Sequence, residues 1–375
     1  MIFIFDALSR ILSDSSSVRD RRATNRAMRA VLLQAYDLDF NKALGWSTEH
    51  PIPQPKAGQV VVKVAAAASN PVDYKVAEGN LAMAIKLSLP KVTGGDFAGT
   101  IHSIPDGVDA GGLKVGDRVA GFNDLGTHKD VGSFAEYTTV NVKNLAKLPP
   151  SMSFEEGAAL PLTGNTSYQA LTEKLGLKKD AGQKLLVLGG STATGMLALQ
   201  MARDYGCKEI ACTSSSVELC KSLGATEVVN YKTGAKWDEV LKGRNFDMVY
   251  DTVGGADGWA GAQKVLKPKG GQFATIAGDN PGGKIGLGTV AKMAAGIANR
   301  NFWATFGYPK YNICASLSGD ASKGLSYFIG LCDAGKAKAM VDPTSPYEFS
   351  KEGALKMFEK QKSGTAKGKL VMKVE

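Results

Sequence analysis

Residues 185–202 read LLVLGGSTATGMLALQMA, an apolar run followed by two glycines, small hydroxyl and methyl residues, a third glycine and an apolar stretch at helical spacing. A phosphate-cradling turn between a buried strand and a helix needs that order. A strand from Leu185 to Leu188 ending at Gly189 and Gly190, with a helix starting near Thr194, aims free backbone N–H groups and the positive helix end at a pyrophosphate. Gly190, Ser191, Thr192, Ala193, Thr194 and Gly195 are therefore the expected cofactor contacts. A β-branched Thr192 resists φ > 0, so its backbone is expected in an ordinary allowed region. The hydroxyls of Ser191, Thr192 and Thr194 are expected to donate to phosphate oxygens in place of close backbone approach. The plainer reading is a turn that only caps a helix.

The next strand decides which nicotinamide cofactor follows. NAD enzymes end this strand with an acid that bonds the ribose 2′-hydroxyl, whereas EIACTSSSVELCK (209–221) offers Thr213, Ser214, Ser215 and Ser216 and delays its acid to Glu218. Hydroxyls plus the Lys221 cation suit a 2′-phosphate, hence NADPH; the alternative is a polar loop with a surface lysine. The five cysteines, 207, 212, 220, 314 and 332, contain no C-x-x-C pair and no histidine at metal spacing. They read as reduced, buried thiols of an intracellular protein, and no metal site is expected. His50, His102 and His128 lack acid–base partners in the sequence.

The elements that must carry these residues follow from the wider pattern. A chain of 375 residues is long enough for two cored domains, and 44 glycines favour an α/β architecture with many tight strand–helix turns. Eighteen uninterrupted apolar residues occur nowhere, so no integral membrane segment is expected. The net charge of +9 is scattered instead of gathered into an aromatic-laced patch, which excludes a nucleic-acid face and suits a phosphorylated small molecule. Residues 1–27 stand apart. Their serines and arginines favour an organelle transit peptide, while Asp6, Asp14 and Asp20 favour a disordered extension without an address; the chain is thus cytoplasmic or organellar. Residues 28–152 hold short strands punctuated by Gly and Pro, a barrel-like or irregular β unit. Residues 153–311 alternate strand and helix, the mark of a parallel sheet with crossover helices. Residues 312–375 hold a helix near 322–333 and end in KGKLVMKVE, a strand able to return to the first unit.

This order, together with ASNPVDYKVAEG (68–79), GGDFAGTI (94–101), LKVGDRVAGF (113–122), GSFAEY (132–137), ALPLTGNTSYQAL (159–171), SLGATEVVNY (222–231) and AKGKLV (366–371), resembles the zinc-free quinone oxidoreductase branch of the medium-chain dehydrogenase/reductase superfamily. The resemblance implies a GroES-like β-barrel catalytic domain packed on a Rossmann doubly wound parallel sheet, with the active site between them and a homodimer left open. It also implies that Tyr231 contacts the 2′-phosphate, that Thr166 lies near the nicotinamide, and that Lys369 contacts the cofactor. For Thr166 a helix-start hydroxyl is the alternative. Zinc-dependent relatives place a cysteine where Asn70 stands and Gly-His-Glu where Gly94, Gly95 and Asp96 stand. Without those ligands the Lewis-acid route is closed.

For the acceptor, NPVDYK is the informative stretch. Asn70 can bond a substrate carbonyl or the nicotinamide ribose, and Asp73 reads as a helix cap. Lys75 is chosen for orienting and protonating the substrate oxygen, because an ammonium beside a developing enolate stabilises charge that appears only in the transition state; a solvated surface lysine is the alternative. Tyr74 is the second candidate acid, or the floor of a pocket. The implied activity is NADPH-dependent, zinc-independent reduction of quinones or α,β-unsaturated carbonyls, small electrophiles. The STATG string is similar to that of fungal trans-acting enoyl reductases, so carrier-bound acyl chains are the second substrate class, and a low-turnover nucleotide-binding accessory protein is the third reading.

Overall fold

The computed structural model describes residues 27–82, 87–124, 128–281, 287–314 and 322–375. The expected extension therefore lies outside the described residues except for Ala27, where the first strand, Ala27–Leu33, begins. No helix among the described residues is long and apolar enough to cross a membrane.

Strand Gln59–Ser69 organises the antiparallel part. It pairs along one edge with Asp96–Ser103 and along the other with Tyr137–Asn141 and then Leu370–Lys373. Arg118–Phe122 and Leu145–Lys147 extend this sheet, and a smaller sheet of Leu44–Pro51, Ala27–Leu33 and Lys91–Val92 lies against it. Val60, Val62 and Val64 face the interior of this unit with Phe97, Ile101, Val119 and Val140. A register shift between Val64 and Ala66 then reverses the alternation. An inserted residue moves every later side chain to the other face. Beyond the shift Ala67 stays with the first core, whereas Ala66 and Ala68 join a second core with Ala98, Ala158, Leu160, Met196 and Phe328. The two units therefore share one packed interior built on alanine, whose small side chain lets helix Phe154–Ala158 lie close to the sheet.

The parallel sheet holds six strands in the order Glu227–Val229, Glu209–Thr213, Lys184–Leu188, Met248–Asp251, Gln272–Thr275, Lys310–Ile313. Numbered along the chain this is 3-2-1-4-5-6, the doubly wound order of dinucleotide-binding sheets, in which ligands bind at the carboxyl ends where the order reverses. The reversal lies between Lys184–Leu188 and Met248–Asp251. The last strand runs across position 311–312, where the parallel unit was expected to end, and pairs with Gln272–Thr275 as its edge.

Gly99 faces the register shift. A Cβ placed there would lie 2.0 Å from the Lys63 carbonyl oxygen, and backbone cannot swing aside. Gly99→Ala is expected to cost about 3 kcal/mol, read as a lowered urea midpoint. Gly330→Ala, on an exposed helix face with no atom within 4 Å of the new Cβ, is the matched control and is expected to leave the midpoint unchanged or slightly raised.

Candidate functional site

The glycine turn closes by three separate demands. Gly189 has φ +86°, a left-handed conformation. A Cβ on Gly190 would lie 2.6 Å from Cys212 Sγ, and one on Gly195 would lie 2.1 Å from the Gly189 carbonyl oxygen. Thr192 makes no such demand, since it sits at φ −72°, ψ 158° as the N-cap of helix Ala193–Asp204. Its hydroxyl donates to the Gly189 carbonyl at 2.9 Å and accepts from Gly195 N–H at 3.0 Å. That hydroxyl proton is used inside the turn, which corrects the expectation that Thr192 donates to phosphate. Ser191 accepts from the Ser214 hydroxyl at 2.8 Å and keeps its own proton. Ala193 and Thr194 occupy the first helical turn, whose N–H groups have no intrahelical partner. The turn thus presents donors at a positive helix end beside the point where strand order reverses.

Thr213 and Ser214 are engaged within the turn. Both are buried; Thr213 accepts from Gly189 N–H at 2.9 Å, and Ser214 accepts from Ser216 N–H at 2.9 Å while donating to Ser191. They shape the turn, and the exposed hydroxyls at this strand end are those of Ser215 and Tyr231, which donates to Ser215 at 3.3 Å. Lys221 pairs with Glu218 at 3.4 Å on the surface, a contact weak enough to exchange for a phosphate. On the other side of the reversal, buried Asp251 accepts from Val253 and Gly254 N–H at 3.0 and 2.9 Å, fixing the loop there. Burial raises its pKa, against the pull of those two donors. Asp251 is the residue that the sequence reading does not single out, although a strand-end Asp before two glycines in VYDTVGG is a usable signal.

The acceptor side centres on helix Pro71–Ala77. Lys75 is half-buried and reaches across to donate to the Pro281 carbonyl at 2.7 Å, in the loop after strand Gln272–Thr275. Burial lowers its pKa, partly offset by Glu78. Tyr74 packs edge-on to Phe40 with ring centroids 6.4 Å apart, and burial raises its pKa, making it the poorer acid. Thr166 lies half-buried on helix Pro161–Gln169, next to Ser167, whose hydroxyl donates to the Thr194 carbonyl at 3.0 Å.

Asn70, Asp96 and Lys369 form one interior cluster. The Lys369 ammonium lies 2.5 Å from Asn70 Oδ1 and 2.9 Å from Asp96 Oδ2. Strand register brings them together, because Leu370 pairs with Ser69 and Asp96 pairs with Ala68. Lys369 is 4% exposed, and its ammonium is held inside by Asn70 and Asp96. Asp96 Oδ1 also accepts from Leu162 N–H at 3.1 Å, the start of the Thr166 helix. Asp73 accepts from Asn70 N–H at 2.7 Å. Burial pushes Asp73 up to about 7; the Asn70 bond and Lys369 oppose the rise and the Asp96 charge adds to it. Among the described residues no group of three or more His, Cys, Asp or Glu could hold a metal ion.

The comparisons agree with this architecture. Residues 56–150 match the family "Alcohol dehydrogenase GroES-like domain" and residues 193–304 match "Zinc-binding dehydrogenase". A 2-methylene-furan-3-one reductase of Solanum lycopersicum is 34% identical over 327 residues, covering 86% of this chain and 73% of its own length. An NADPH-dependent alkenal/one oxidoreductase, chloroplastic, of Arabidopsis thaliana is 33% identical with the same coverage. The quinone oxidoreductase structure from Coxiella burnetii superposes with a TM-score of 0.73 at 25% identity, over 93% of this chain and 100% of that one. The chain belongs to the medium-chain dehydrogenase/reductase superfamily, in its quinone oxidoreductase-like branch.

Proposed function

We propose that this chain is an NADPH-dependent, zinc-independent reductase of α,β-unsaturated carbonyls and quinones. One observation carries the reading: the Lys75 ammonium reaches from the first unit to the Pro281 carbonyl of the parallel-sheet unit, and among the described residues no group of three or more His, Cys, Asp or Glu could hold a metal ion. Such a site cannot polarise an alcohol through a metal, but it can stabilise the oxyanion of an acceptor that is already electrophilic. Residues 28–152 with the returning C-terminal segment form the catalytic unit, and 153–313 the cofactor unit.

Bound NADPH supplies the hydride. The fit rests on the glycine contacts described above and on the free donors of Ser191, Ala193 and Thr194 for the pyrophosphate; Ser215, Tyr231 and Lys221 meet the 2′-phosphate. When hydride reaches the electrophilic carbon, an electron pair moves to the acceptor oxygen. Lys75 stabilises that negative oxygen, and a proton from Lys75 or water completes the reduced product. Tyr74 floors the pocket.

A second copy is the proposed protein partner. Strand Lys310–Ile313 is a sheet edge, and Phe302, Trp303, Phe306 and Tyr308 stand exposed beside it; an unpaired edge next to apolar surface favours pairing. Residues 1–27 decide the compartment, organellar if they are a transit peptide and cytoplasmic if not, which a reporter fused to them reads directly.

The activity is tested with purified protein, a chelator, and a panel of short enals, quinones and acyl thioesters. Enals or quinones are expected to oxidise the cofactor, with NADPH bound about tenfold or more tighter than NADH, the scale of one charged hydrogen bond. Turnover only with thioesters selects the carrier-bound class, no turnover selects the accessory protein, and activity lost to the chelator and restored by zinc overturns the reading.

Lys75→Ala is expected to lower kcat and kcat/KM together by about 10- to 1000-fold with NADPH affinity unchanged. The proton-bearing form is the active one, so activity falls as pH rises through the Lys75 pKa. Because burial lowers that pKa, the alkaline limb of kcat/KM is expected below the ordinary lysine value of about 10.4 and to vanish in Lys75→Arg. An unchanged kcat returns the chemistry to water.

A further inference from the structure

Asn70 is held at one end only. An ammonium can only donate, so the amide atom facing Lys369 is Oδ1, 2.5 Å away. The other end, Nδ2, is buried and has no hydrogen-bond partner. A buried amide NH₂ without an acceptor destabilises the fold that holds it. The fold nevertheless fixes it there, because flipping the amide would set Nδ2 against a cation. The helix that Asn70 begins carries Lys75, and Asp96, the counter-charge of Lys369, also anchors the N-terminus of the Thr166 helix. Charge on Oδ1 draws electron density from the amide nitrogen and strengthens its N–H donors.

We propose that Lys369 is a positioning residue that locks the Asn70 amide so that Nδ2 donates to the acceptor's carbonyl or quinone oxygen as negative charge develops there. Asp96 keeps the Lys369 charge in place. Two donors then converge on the substrate oxygen, Asn70 Nδ2 and Lys75 Nζ, and the cation that organises the first is the chain's own. This rests on the reductase reading, with Asn70 touching the substrate and Lys369 acting only through Asn70.

The test is kinetic and uses the full chain with NADPH and a short enone. Asn70→Ala removes the donor and leaves both buried charges paired. It is expected to lower kcat about 10- to 100-fold with NADPH affinity and KM within about threefold. Lys369→Met combined with Asp96→Asn removes the pair without leaving a bare charge, and is expected to cause a similar fall. Adding Asn70→Ala to that double variant should lower kcat no further, since both changes disable one donor. Lys369→Gln, whose amide can still donate to Oδ1, should recover part of the loss, and it carries the comparison should the double variant fail to fold. Unchanged kcat in Asn70→Ala overturns the proposal, as does a triple variant that falls by the product of the separate losses. A wild type that reduces no acceptor fails the reductase reading itself, a different outcome from a working enzyme indifferent to these substitutions.

Discussion

The buried pairing of Lys369 with Asp96 is the contact on which the site depends. Removing two charges from water costs several kcal/mol per ion, recovered only with good geometry and full hydrogen bonding. Here the ammonium meets two oxygens, and the carboxylate meets the ammonium and a backbone N–H. The cluster ties together the ends of three strands and the starts of two helices, with Asn70 and Lys369 separated by 299 positions in the chain. Removing either Lys369 or Asp96 leaves a charge bare in the interior, so the geometry at Asn70 and at the Thr166 helix is set together. A metal ion and its ligands would perform the same crosslinking, and a fixed lysine does so here without an open coordination position for substrate.

The nucleotide turn shows how a sequence can depart from a glycine fingerprint at no cost to the backbone. Thr192 lies in an ordinary extended conformation, and its hydroxyl satisfies Gly195 N–H, which the helix start would otherwise leave unpaired. Its proton is engaged with the Gly189 carbonyl, while Ser191 keeps its own. Thr213 and Ser214 support that arrangement, accepting from Gly189 N–H and donating to Ser191 respectively.

Local signals were readable in the sequence because they are local. The strand–turn–helix at 185–202, the serine-rich strand end and the terminal strand each occupy a short window with its own periodicity. The register shift after Val64 left no such mark, because a valine–alanine run is apolar on both faces and its face change depends on which strand lies opposite. The partners of Lys369 were equally hidden. Nothing in AKGKLV names those partners, and only the pairing of Leu370 with Ser69 across the sheet brings the Lys369 side chain to Asn70 and Asp96. The strand Lys310–Ile313 was cut by the expected boundary because an edge strand following the long helix Leu287–Ala304 carries little alternation of its own.

A double-mutant cycle on stability addresses the Lys369–Asp96 pairing most directly. Urea unfolding of wild type, Lys369→Met, Asp96→Asn and the double variant yields the coupling energy between the two residues. Each single change is expected to cost about 3–5 kcal/mol by stranding a buried charge, and the double variant to be more stable than either single one. Losses that simply add would contradict the account, because they would mean that ammonium and carboxylate contribute independently and that no internal cation holds the site together.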